Sequence, residues 1–365
     1  MNTSEFYFDL PQELIAQSPS EKRGEDRLLV LDRATGGITH AMFSDIVPLI
    51  PANSLLVFND SRVRKARVHG MNSKTGRVSE FLFIDRLDTV DTTDTGGKRW
   101  KAIVKNKKKH KDGMIFRFGG ASWDVEGHIV HNEALANTEF LELRFAQSLD
   151  ENWFEQNGHV PLPPYIKRAD TGLDGERYQN VYAKVTGSAA CPTAGLHFTP
   201  ELLENLATRG DVETAFVTLH VGLGTFLPVR TAAVEEHVMH TETYTISAEN
   251  AAKINAAKRS GKKIIAVGTT SLRTLEAAFL AAAARDADRE IVQAGTAQTN
   301  IFIYRQNQFH LVDALITNFH TPESTLLMLV CAFAGRDAVF AAYAEAIQKR
   351  YRFFSYGEAM FITCS

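Results

Sequence analysis

Between residues 68 and 150 the chain loses helical periodicity, and this break constrains its fold more than any other feature. Short runs of strand-like composition follow one another there: Ser79-Glu-Phe-Leu-Phe-Ile84, Trp100-Lys-Ala-Ile-Val104, Met114-Ile-Phe-Arg-Phe118 and Glu139-Phe-Leu-Glu-Leu-Arg144. Turns rich in Gly, Asp or Thr separate them, and residues 88–97 are polar enough for a hairpin tip. Several short strands at this spacing imply a small barrel or sandwich. On either side, apolar strands alternate with amphipathic helices, which favours an α/β architecture with a largely parallel sheet. The expected organisation is a larger discontinuous α/β domain, residues 1–62 and 151–365, carrying an inserted small antiparallel β-barrel at 63–150. At 365 residues the chain is too long for one small core, which agrees with two domains.

Composition is ordinary for a globular protein, 44% hydrophobic and 23% charged, so disorder is not indicated. A net charge of −3 argues against nucleic acid only if the basic residues are dispersed. They are not: Lys98-Arg-Trp-Lys-Ala-Ile-Val-Lys-Asn-Lys-Lys-Lys-His-Lys111 is the densest positive run, and a solvated turn and a phosphate contact both fit it. Cys191, Cys331 and Cys364 are too few and too scattered for a disulfide framework or a zinc knuckle, and they fit a reducing compartment. The N-terminus lacks the basic flank and apolar run of a signal peptide, and no stretch approaches roughly 18 unbroken apolar residues. A cytoplasmic protein with no membrane association is expected.

The chemistry is concentrated in residues 187–228. Gly187-Ser-Ala-Ala-Cys-Pro-Thr-Ala-Gly-Leu-His-Phe198 leads into a helix begun by Thr199, Pro200 and Glu201 and closed by Gly210. A β-branched run then ends in Val217-Thr-Leu-His-Val-Gly-Leu-Gly-Thr-Phe226. Later the strand Lys263-Ile-Ile-Ala-Val267 runs into Gly268-Thr-Thr-Ser-Leu-Arg273 and a long Ala/Leu helix, an arrangement suited to an anion or polar ligand. Leu311–Thr317, Asn318-Phe-His-Thr-Pro-Glu-Ser324 and an apolar helix repeat that strand-to-helix pattern. Tyr351-Arg-Phe-Phe-Ser-Tyr-Gly357 is aromatic enough to stack bases, but core packing is the better expectation.

His237-Val-Met-His240, with Glu242 and His220, has the residue types of a metal site. Its spacing is not that of the His-Glu-x-x-His helix, and no cysteines support it, so hydrogen bonding is expected and no metal. Gly222-Leu-Gly224 lacks the third glycine of a dinucleotide fingerprint, and neither a nucleophile elbow nor a Walker loop occurs. A metal-dependent hydrolase and a non-catalytic RNA-binding protein remain the alternative readings.

In order along the chain, these motifs resemble the S-adenosylmethionine:tRNA ribosyltransferase-isomerases of queuosine synthesis. The resemblance rests on Phe8-Asp-Leu-Pro11, Asn59-Asp-Ser-Arg-Val63, Gly158-His-Val-Pro-Leu-Pro-Pro-Tyr-Ile166, Arg177-Tyr-Gln179, Pro192–Thr199, Val217–Phe226, Val267-Gly-Thr-Thr-Ser271, Leu315–His320 and Tyr351–Gly357. Cys191, Thr321 and Arg305 depart from the family pattern, where Ala, Leu and Pro are usual. The resemblance implies transfer and isomerisation of the ribosyl part of S-adenosylmethionine onto the aminomethyl group of a 7-deazaguanine at the wobble position of tRNA, giving epoxyqueuosine-tRNA, adenine and methionine. It implies no cofactor, because S-adenosylmethionine is consumed as a substrate, and no protein partner. His197, His220, Glu242, His320 and Glu323 are then the candidate bases and proton carriers. Thr193, Gly195, Gly222, Gly224, Thr269, Thr270, Ser271 and Arg273 are candidates for holding S-adenosylmethionine. Asp60 and Arg62, with Lys105, Lys107, Lys108, Lys109 and Lys111, are expected to face the anticodon stem-loop.

Overall fold

The strand Ser54–Asn59 is buried along its whole length, as an apolar run must be when both faces of its sheet are covered. Its side chains alternate. Leu55 and Val57 join a core with the helices Ala248–Arg259, Thr269–Ala283, Thr325–Ala334 and Arg336–Gln348. Leu56 and Phe58 join a second core beneath the helices Ile46–Leu49 and Pro200–Thr208. The result is a sheet between two helical layers. The structure, a computed structural model, describes residues 1–87, 98–120, 122–222, 229–284, 291–306 and 309–363.

Among the described residues the sheet has nine strands, in the order Gly295–Thr299, Glu242–Ile246, Val212–Leu219, Ser54–Asn59, Lys263–Val267, Ala314–Asn318, Ala359–Thr363, Arg27–Asp32 and Ile38–Met42. The four from Val212–Leu219 to Ala314–Asn318 are mutually parallel, and Arg27–Asp32 is parallel to Ala359–Thr363. The other four pairings are antiparallel, so the sheet is mixed rather than largely parallel. One cause is visible after Asn318. A single crossover helix would return the chain for another parallel strand, but two helices follow, bent by 114° about Gly335, and Ala359–Thr363 runs back antiparallel.

The inserted module is a closed six-stranded antiparallel barrel, Phe140–Phe145, Arg99–Val104, Val78–Arg86, Arg67–Asn72, Ile115–Phe118 and Val125–Val130. Phe81, Phe83, Trp100, Phe116, Phe118 and Phe145 fill it, mostly edge to face. A Cβ at Gly70 would lie 2.6 Å from the Phe118 ring, and one at Gly127 2.5 Å from that of Phe145, so both strands carry glycine where a ring needs the space. Those are the two strands whose composition does not announce them. The helix Glu151–Asn157 adds Phe154 to the barrel core. Tyr351, Phe353, Phe354 and Tyr356 are buried, and the strand that follows them begins at Ala359. No single helix among the described residues is long and apolar enough to cross a membrane.

Candidate active site

The four parallel strands end along one edge of the sheet, at Asn59, Leu219, Val267 and Asn318, and ligands of open α/β sheets bind at that edge. Asn59 ties the edge together. Its Nδ2 donates to the Leu219 carbonyl at 3.0 Å and to Thr270 Oγ1 at 3.2 Å, and its Oδ1 accepts from the N–H of Leu219 and of Ser61, both at 3.1 Å. Ser188 Oγ accepts from Val221 N at 2.8 Å, so His220 projects from backbone fixed on both sides.

His220 borders a cleft of about 1000 Å³ between the barrel and the α/β body. The barrel contributes Ile84, Arg86, Lys101 and Phe140, and the body Gly187, Gly222, Glu242 and Arg273. Burial, and then the charge of Arg64, lower the His220 pKa below its usual 6.5, which favours neutral imidazole. Its Nδ1 is buried with no partner among the described residues. Gly187 lies flat against the ring: an added Cβ would be 2.8 Å from Cε1 and 3.0 Å from Nδ1.

At the same cleft the guanidinium of Arg273 donates through Nη1 to Glu242 Oε2, with both residues under a tenth exposed. Arg273 Nε and Nη2 are buried without partners among the described residues. Leaving such donors unmet costs about 1–3 kcal/mol or more, and such groups call for a functional explanation. His237 and His240 also line the cleft, yet no three His, Cys, Asp or Glu among the described residues form a metal ligand set.

Behind Val221, which the two cavities share, a pocket of about 30 Å³ brings together Thr193, Thr269, Thr270, Thr317 and His320 at the start of the helix Thr269–Ala283. Gly268 makes the turn into that helix at φ +92°. His320 Nε2 shares a hydrogen with Thr317 Oγ1 at 2.8 Å, and burial lowers the imidazole pKa to about 3, so the ring is neutral. Ser271 turns inward and donates to the Val267 carbonyl at 2.8 Å.

The remaining candidates make other contacts. His197 is 2% exposed, its Nδ1 bonded to Asp26 Oδ2 at 2.7 Å and its Nε2 accepting from Asn318 Nδ2 at 3.1 Å, which leaves neither nitrogen free for proton transfer. Burial raises the Asp26 carboxyl, but His197 and Arg352 outweigh it and hold the pKa low. Glu323 adopts φ +55° at a corner where its N–H donates to the Phe6 carbonyl at 3.0 Å. Gly195 packs against Asn180 and Tyr182, with no room for a side chain. Asp60 Oδ1 accepts from Thr218 Oγ1 at 2.6 Å, and Arg62 is exposed on the short strand Ser61–Val63. Gly224 falls outside the described residues.

In the basic run, Lys105, Lys108, Lys109 and Lys111 are exposed. Lys107 is engaged within the protein: its Nζ donates to the carbonyls of Leu135, Ala136 and Thr138 at 2.7, 3.2 and 2.8 Å. Lys105 and Lys109 also border a groove of about 920 Å³ on the barrel, beside Arg67 and Arg77. Asn59, Gly187 and Ser188 were not among the individually named candidates, although Gly187 and Ser188 open the stretch in which the chemistry was expected. For Asn59 the signal was present, because a polar side chain ending a wholly buried strand must find partners.

A family model described as queuosine biosynthesis protein matches residues 3–362. The chain belongs to that family. Within the queuosine biosynthesis family, relatives from Treponema denticola and Acetivibrio thermocellus are 48% and 49% identical, each match covering 99% of this chain and 100% of the relative. A third, from Geobacter metallireducens, is 47% identical with the same coverage. All three are named S-adenosylmethionine:tRNA ribosyltransferase-isomerase. The crystal structure of S-adenosylmethionine tRNA ribosyltransferase from Thermotoga maritima is 36% identical, covers 98% of this chain and 100% of its own, and superposes with a TM-score of 0.52.

Proposed function

We propose that this chain is an S-adenosylmethionine:tRNA ribosyltransferase-isomerase that joins the ribosyl part of S-adenosylmethionine to a wobble 7-aminomethyl-7-deazaguanine in tRNA. The observation that carries the reading to particular residues is the cleft in which a neutral-leaning imidazole, His220, and a buried, incompletely partnered guanidinium, Arg273, meet beside a barrel bearing exposed lysines.

The sulfonium acidifies the adjacent C–H, and His220 takes that proton. The electron pair left on that carbon forms a new bond within the ribosyl unit as the bond to adenine breaks, and adenine leaves with that bond's pair and takes up a proton; the substrate amine loses a proton as it bonds to the ribosyl fragment, and methionine leaves with the C–S bonding pair. His320, neutral in its pocket, and the Thr269 and Thr270 hydroxyls supply hydrogen bonds to the nucleoside. Glu242 is first the counter-ion of Arg273. The exposed lysines and Arg62 contact the anticodon stem-loop phosphates. The reaction uses no metal or bound cofactor and takes place in the cytoplasm.

Nucleoside mass spectrometry tests this reading. After incubation with S-adenosylmethionine and tRNA carrying the aminomethyl base, chelator-treated protein should give epoxyqueuosine with one adenine and one methionine released per modified base. A methylated nucleoside, or no change in the tRNA, would remove the reading.

A further inference from the structure

Four arginines of this chain close the Nε/Nη2 edge of the guanidinium on a carboxylate. Nε and Nη2 of Arg27 grip Glu358 at 3.0 and 2.9 Å, and those of Arg99 grip Glu142 at 2.8 and 3.0 Å. Arg209 holds Asp211 the same way at 2.9 and 2.7 Å, and Arg64 holds Glu151 at 2.8 and 2.5 Å. That edge carries two parallel N–H bonds and matches the two oxygens of a carboxylate.

Arg273 differs from these four. Only 3% exposed, it donates to Glu242 from Nη1, so the edge formed by Nε and Nη2 is the part left without partners among the described residues. A guanidinium does not relieve the deficit by losing a proton. The cavity it borders is the cleft that also holds His220.

We propose that the Nε/Nη2 edge of Arg273 seats the α-carboxylate of the methionyl part of S-adenosylmethionine, with Glu242 as the positioning residue that fixes the guanidinium. The inference rests on the function proposed above and assigns the amino-acid end of the substrate. A carboxylate is favoured over an RNA phosphate because residues Thr269 to Ala278 of this helix are all buried. A phosphate inside a polymer brings a ribose on each side, whereas a terminal carboxylate reaches such a site alone. Bound there, the substrate has its charged end anchored at the cleft wall that His220 shares.

The test is calorimetric binding of three ligands to the full-length protein: S-adenosylmethionine, its decarboxylated analogue and its methyl ester. The wild-type protein is expected to bind the analogue and the ester about 100-fold more weakly, as loss of a buried two-point charged contact implies. Arg273→Gln should weaken S-adenosylmethionine by a similar factor while leaving the decarboxylated analogue within about threefold of its wild-type affinity, so that discrimination disappears. Glu242→Gln should raise KM for S-adenosylmethionine more than it lowers kcat, and tRNA affinity should stay unchanged in both variants. Equal binding of all three ligands by the wild-type protein, a comparison that needs no variant to fold, would overturn the inference while leaving the proposed function standing. Discrimination retained in Arg273→Gln, or a loss confined to tRNA affinity, would also overturn it. Failure of the wild-type protein to bind S-adenosylmethionine at all would remove the function and the inference together.

Discussion

Gly187→Ala is the substitution whose effect follows most directly from geometry. The new Cβ would stand 2.8, 3.0 and 3.1 Å from Cε1, Nδ1 and Nε2 of His220. Carbon atoms rest about 3.5–4.0 Å apart, so the imidazole must withdraw by about 0.7 Å or more. The backbone at Gly187 has φ +152°, which an L side chain rarely adopts and which costs of order 1–3 kcal/mol. His220 has little freedom to absorb the push, because Asn59 holds Leu219 before it and Ser188 holds Val221 after it. Misplacing a catalytic group by about 1 Å costs roughly 100-fold in rate, about 2.7 kcal/mol of barrier. The variant should therefore lose about 1–3 kcal/mol in urea unfolding and about two orders of magnitude in single-turnover adenine release. Its tRNA affinity should not change. Adding His220→Ala should recover part of the stability, since the clash goes, and none of the rate. A Gly187→Ala protein that turns over at the wild-type rate would refute the reasoning.

Three further outcomes are expected. Because burial and Arg64 lower the His220 pKa, the acid limb of kcat/KM should lie below pH 6.5, and Arg64→Met should shift it to higher pH; a pH profile with an unmoved limb contradicts the assignment. Replacing Lys105, Lys109 and Lys111 with Ala should reduce the salt dependence of tRNA binding by about 2–3 in log–log slope, whereas Lys107→Ala should leave the slope alone and cost about 1–3 kcal/mol of stability, because three carbonyls lose their donor. For Asp174, burial raises the carboxyl, but bonds from Arg168, Tyr356 and Thr171 prevail and hold it well below the usual carboxylate range. With the folded pKa below the unfolded value, that contribution is complete above roughly pH 4 and is lost as pH falls further. Asp174→Asn should therefore be less stable by about 3 kcal/mol at pH 7, with the gap closing in acid denaturation curves.

Features set by neighbouring residues were legible in the sequence. Thr199 caps its helix through Leu202 N, and Lys263–Val267 is a strand with the bounds its composition suggests. The barrel was legible as a class, although Arg67–Asn72 and Val125–Val130 are hidden by the glycines that make room for Phe118 and Phe145. Features created by distant partners were not legible. His197 sits in a motif that looks catalytic, but Asp26, 171 positions away, and Asn318 occupy its ring. Lys107 is indistinguishable from Lys108 along the chain and is separated from it only by the carbonyls of a turn near residue 135. The strand directions at the far end of the sheet depend on two helices packing as a pair, which hydrophobic periodicity does not record.

The central claim is that chemistry takes place in the cleft between barrel and sheet, with His220 as the proton acceptor. Single-turnover adenine release by His220→Asn, at saturating S-adenosylmethionine and tRNA, tests it most directly. The account predicts a rate at least about 100-fold below wild type with both dissociation constants within about threefold of wild type. Wild-type release by that variant would place the reaction elsewhere on the molecule.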